Sequence, residues 1–173
     1  QPEDWTQQEE KEIYKSLLAL NLFRVVSPRP LILALLMGRK KKKISQSFFK
    51  GSLKAIEHFH FTFSTICSSN ASGLERMYSS FARKIRKARD KNESHSIIRD
   101  LITTLSQKKP DLDKFITSFD KKLKYSDSYT KDKKVIQYFF KKMESYYLQT
   151  NELEVLNISI EHILPQSSQQ DIA

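Results

Sequence analysis

Near its end the chain reads NISIEHILPQ (Asn157 to Gln166), which sets a carboxylate, Glu161, directly beside an imidazole, His162, and closes on Pro165. A neutral imidazole can take a proton from water near pH 7, and a carboxylate is a hard oxygen ligand suited to Mg2+. Phosphodiester hydrolysis needs such an activated water, together with a cation that neutralises the charge developing on the phosphate. Glu161 and His162 supply half of that apparatus. Adjacent residues of a regular strand point to opposite faces, so the two could share a site only where the backbone is irregular. The competing reading is a histidine with a purely structural role near a strand end.

Two other groups of residues could do chemistry. Glu57, His58 and His60 are close in sequence, but on a helix positions i and i+2 diverge by about 200°. A helical metal pair uses i and i+4 instead, so a metal role there is disfavoured. The basic residues are the second group. Arg76, Arg83 and Lys87 recur on one helical stripe with Arg86 beside them, and Arg39, Lys40, Lys41 and Lys42 lie in the run RKKKK (39–43). Either set could track a phosphate backbone. The plain alternative is a solvated face opposite a core face.

The elements that must position these residues follow from periodicity. Ile13, Leu17 and Leu20 predict a first helix over about 6–26, with Glu9, Glu10 and Glu12 at the dipole's positive end. SPRP (27–30) breaks it, and a short, almost wholly apolar helix from Pro30 to Met37 follows, with Gly38 as its stop. A helix apolar all round is expected to be buried. Phe49, Leu53, Ile56, Phe59, Phe63 and Ile66 keep a helical period over about 45–67, although FHFTF also fits strand alternation. After the loop SSNASG, an amphipathic helix is predicted from Leu74 to about Lys91, with further helices around Leu101, Phe115 and Phe139. ELEVLNISI (152–160) changes period and reads as a strand. The predicted fold is therefore all-α, a bundle of about six or seven helices over 1–150, with a β-strand opening a second unit in 151–173.

The formal charge of +10, from 30 Lys+Arg against 20 Asp+Glu, favours polyanionic partners, with nucleic acid ahead of an anionic membrane. One cysteine, Cys67, excludes an intrachain disulfide, and the expected setting is the reducing cytoplasm. The longest apolar run, Leu31 to Met37, is far short of the roughly 20 residues a spanning helix needs. The chain opens on Gln1 and ends eight residues after Pro165, and is read as a piece of a longer protein.

The string IEHILPQ resembles the opening signature of the HNH-type nuclease domain in the GmrSD family of modification-dependent (type IV) restriction endonucleases. RPLILALL, IEHFHFTF, NASGLERMYSSFARKI and YFFKKMESYY, taken in order, are similar to the helical region which that family places between a nucleotide-hydrolysing domain and the nuclease. The resemblance implies a phage-defence endonuclease acting on DNA, modified DNA in particular, with Mg2+ or another divalent cation. It implies His162 as general base and Glu161 as metal ligand, the start of a ββα-metal unit in 151–173, and an NTPase domain outside this chain. No phosphate-cradling glycine loop occurs in these residues. Too few residues follow Pro165 for the second strand and ligand-bearing helix of such a unit, so these 173 residues alone are expected neither to cleave DNA nor to hold Mg2+ tightly. The alternative is a non-enzymatic basic helical module that binds nucleic acid or a protein partner.

Overall fold

The computed structural model describes residues 8–123 and 133–148. Among the described residues every element is helical. The helices are α1 (Gln8–Leu22), α2 (Arg29–Lys40), α3 (Gln46–His60), α4 (Leu74–Lys87), α5 (Lys91–Lys108), α6 (Leu112–Lys122) and α7 (Lys133–Leu148). The expected strand at 152–160 lies outside the described residues. No described helix is long and apolar enough to cross a membrane.

The chain divides into two compact units, Gln1–Phe119 and Asp120–Ala173. In the first, α3 is the central helix and packs against α1, α2 and α5, while α2 lies along α4. The period seen in the sequence explains this arrangement. Phe49, Leu53, Ile56 and Phe59 recur every three or four residues along α3, and none is more than 2% exposed. Each such burial contributes about 1.5–3 kcal/mol. Leu31 and Leu35 from α2, Tyr78 and Ile85 from α4, and Ile98, Leu101 and Leu105 from α5 complete the same core. In the second unit, α7 buries Val135 and Ile136 and exposes Phe140, Tyr146 and Tyr147.

The helix expected over 45–67 forms, but its pitch changes. After His60 the backbone widens into a π-helical turn, Phe61–Ile66. Thr62 Oγ1 donates to the carbonyls of His58 (3.1 Å) and Phe59 (3.0 Å), and the Cys67 amide reaches back five residues to the Thr62 carbonyl (3.0 Å). FHFTF is thus helical, not extended.

Two expectations about α2 fail. The helix is not buried on all sides, since Leu33, Leu36 and Met37 are exposed by 59%, 46% and 45%. Nor does it stop at Gly38, which is inside the helix. A Cβ at position 38 would stand 2.7 Å from Ile44 Cδ1, so glycine serves close packing here. Helix α2 ends with a paired turn: the Lys43 amide donates to the Gly38 carbonyl (2.9 Å) and the Lys42 amide to the Arg39 carbonyl (2.8 Å). The left-handed position that this closure requires falls on Lys42, at φ 58°. The same closure ends α1, with Arg24 at φ 57°.

Helix α4 stops at Lys87, earlier than the expected 91, because a new helix begins immediately. Asp90 caps α5 by accepting from the Glu93 amide (2.9 Å), and the Glu93 carboxylate accepts from the Arg89 amide (2.8 Å). The Glu93 amide is one of those that the first turn of a helix leaves unpaired, and the Glu93 carboxylate reaches back to pin the residue before the cap.

Candidate functional site

The basic residues gather where α2 and α4 end. The two helices pack along each other, and Gly38 near the end of α2 faces Ile85 near the end of α4. Lys43 Nζ ties the two ends together by donating to the Ala88 carbonyl at 2.7 Å. That carbonyl belongs to the cap of α4, where a cation also favourably meets the negative end of the helix dipole.

Within the run 39–43 the residues differ in role. The Arg39 guanidinium lies over the Phe49 ring, 5.6 Å from its centroid, and is only half-exposed. Lys40, Lys41 and Lys42 are exposed. On α4, Arg83, Arg86 and Lys87 are exposed at the same end of the bundle. Arg76 lies on the same stripe as Arg83 and Lys87, but about 16 Å from Lys87 at the helical rise of 1.5 Å per residue. There it lines a shallow hollow with Ser72, Gly73, Glu75 and Ser79. The structure therefore gathers Lys40, Lys41, Lys42, Arg83, Arg86 and Lys87 at one end and leaves Arg76 apart.

Sequence reasoning missed further cations that flank this end. Lys84 reaches over the Phe81 ring at 5.1 Å, and Arg89 pairs with Glu93 at 3.3 Å. His95, on α5, stacks on Phe48 of α3 with ring centroids 3.6 Å apart and planes within 7°. Its Nε2 accepts from the Ser45 amide at 3.3 Å. Partial burial, and then the positive charges of Lys91 and Arg99, hold this imidazole below its ordinary pKa. Nothing in the sequence pairs residue 95 with residues 45 and 48. The pairing exists only once α5 packs on α3.

Glu57, His58 and His60 do not face one centre. Glu57 and His60 are buried, whereas His58 is exposed. Ser16 Oγ donates to the Glu57 carboxylate at 2.6 Å. His60 Nε2 meets the Tyr78 hydroxyl at 2.9 Å and its Nδ1 meets Ser64 Oγ at 2.9 Å, so both ring nitrogens are engaged. Burial pushes the His60 pKa down from 6.5 to about 4 and raises that of the Tyr78 hydroxyl. A neutral ring satisfied on both sides, deep in the core, is a structural histidine. Among the described residues no three His, Cys, Asp or Glu side chains are grouped to hold a metal ion. Glu161 and His162 lie outside the described residues.

Comparison with known proteins identifies the class. The family described as "GmrSD restriction endonucleases, C-terminal domain" matches residues 76–172, more than half of the 173-residue chain. This chain belongs to that family. The matched span begins in α4 at Arg76, takes in α5, α6 and α7, and includes Glu161 and His162. No curated protein and no solved structure matches the chain.

Proposed function

We propose that this chain is the helical platform and nuclease entrance of a DNA endonuclease that acts in phage defence on modified DNA. Residues 1–150 form the platform in this reading, and residues 151–173 open the HNH-type nuclease unit with its first β-strand. The family match carries the proposal, because one span includes both the basic stripe of α4 and the Glu161–His162 pair.

His162, as a neutral imidazole, accepts the proton of the attacking water. Glu161 offers the hard carboxylate oxygen that suits Mg2+ or a similar divalent cation, and its donor chemistry fits that ion. When bound, such a cation supplies charge neutralisation at the phosphate. Lys40, Lys41 and Lys42 with Arg83, Arg86 and Lys87 hold the DNA backbone electrostatically, without base specificity. Coupling to an NTPase domain outside this chain completes the reading.

The test uses the full-length protein that carries this chain. His162→Ala is expected to lower DNA cleavage by about 10²-fold or more, while DNA affinity stays within about twofold of the parent, since one neutral ring contributes no phosphate contact. Cleavage at an undiminished rate by His162→Ala would overturn the assignment.

A further inference from the structure

Helix α2 exposes a stripe that the core does not use. At 100° per residue, Arg29, Leu33, Leu36, Met37 and Lys40 fall within an arc of about 100°. Leu31, Ala34 and Leu35 occupy the opposite side and are buried. The exposed stripe is apolar in the middle and cationic at both ends. Arg29 and Lys40 have no ion-pair partner among the described residues, and α2 contains no acidic residue. Contiguous exposed apolar side chains rimmed by charge are a common mark of a protein–protein contact surface.

We infer that this stripe docks a helix of a partner polypeptide, one with an apolar stripe bracketed by carboxylates. The charge pattern selects the occupant. In an antiparallel pair of α2 helices, Arg29 of one copy would face Lys40 of the other. In a parallel pair, each cation would face its own counterpart. Both self-pairings set like charges together, so a second copy of this chain is disfavoured. A bilayer is disfavoured as well. An interfacial helix carries its cations along the flanks of the apolar stripe, where they reach the headgroups, whereas here they lie in line with it. Carboxylates about three turns apart, with leucines between, would satisfy both ends and the middle together, as in helix-on-helix recognition. The inference shares Lys40 with the proposed DNA contact and otherwise rests on Arg29, Leu33, Leu36 and Met37, which that reading does not use.

The test is fluorescence anisotropy of a synthetic helical peptide with Leu at i, i+3 and i+4 and Glu at i−4 and i+7, titrated with the 173-residue chain. The expected result is saturable binding, about tenfold or more tighter than for the same peptide with Lys in place of Glu. Leu33→Ser with Met37→Ser should abolish it while keeping the far-UV helical spectrum and a cooperative thermal transition, since both side chains are largely exposed. Arg29→Glu with Lys40→Glu should reverse the preference toward the Lys peptide. Absence of binding, equal binding of the two peptides, binding to phosphatidylserine vesicles in place of the peptide, or self-association lost in the Leu33/Met37 variant would each overturn the inference.

Discussion

Acidification should act on this protein through His60. The ring is 1% exposed and hydrogen-bonded to Tyr78 and Ser64, and its pKa is pushed down from 6.5 to about 4 by burial. In the unfolded chain the same imidazole titrates near 6.5. Between these values the unfolded state binds the extra proton, so stability falls as the pH falls. Well above pH 6.5 both states are neutral and His60 exerts no pH effect. At pH 4.5 the unfolded ring is almost fully protonated, and the folded one is about a quarter protonated. At about 1.4 kcal/mol per pH unit, the difference is about 2–3 kcal/mol of stability lost between pH 7.5 and pH 4.5. Carboxylates also titrate in this range, so the effect must be isolated. Urea unfolding followed by far-UV circular dichroism, on the parent and on His60→Gln, removes the common part. The amide introduced by that substitution can still bond Tyr78 but does not titrate. The parent should lose about 2–3 kcal/mol more than the variant on acidification. Parallel pH profiles, or an imidazole resonance of His60 that titrates near 6.5 in the folded protein, would refute the reasoning.

Glycine gives a paired prediction. Gly51→Ala should stabilise the protein by about 1 kcal/mol, because helix propensity favours alanine and nothing lies within 4 Å of the added carbon. Gly38→Ala should stabilise clearly less than Gly51→Ala, because the new methyl would stand 2.7 Å from the end of the buried Ile44 side chain and force it to shift, offsetting the gain in helix propensity. Lys42→Gly should raise the thermal midpoint, since relieving a side chain from left-handed backbone is worth about 1 kcal/mol. If polyanion binding uses the end where α2 meets α4, Lys40→Gln/Lys41→Gln/Lys42→Gln should reduce the slope of log K against log salt by about 2–3. An unchanged slope would remove these three lysines from the interface.

Much of the fold can be read from the sequence because one periodicity governs it. The stripe Leu74, Met77, Tyr78, Phe81, Ile85 predicts α4 and its buried face, and the structure buries Leu74, Tyr78, Phe81 and Ile85. The end of α4 also has a local signal, since Asp90-Lys91-Asn92-Glu93 carries the pattern of a reciprocal cap for the next helix. The two-sided character of α2 has none. Its composition is nearly uniform, and only the placement of α3 and α4 decides which apolar side chains are covered. The Ser16–Glu57 and Tyr78–His60 contacts are 41 and 18 residues apart and have no local signature. For the candidate site, the residue types and the charge excess are visible in the sequence. The meeting of residues 38–43 with residues 85–88 depends on packing between helices, which no run of lysines encodes.

The sidedness within residues 39–43 has a consequence for how the chain's basicity should be counted. Of five consecutive cations, the first lies against an aromatic ring and the last is bound to a helix carbonyl, which leaves the middle three to meet ions from solution. A mutational scan across this stretch should therefore separate into two phenotypes, a modest loss of stability at its margins and a loss of ionic attraction at its centre. Neither contact neutralises its cation, so the formal excess of +10 stands, but Arg39 and Lys43 are anchored to the bundle while the middle three can move toward an approaching polyanion.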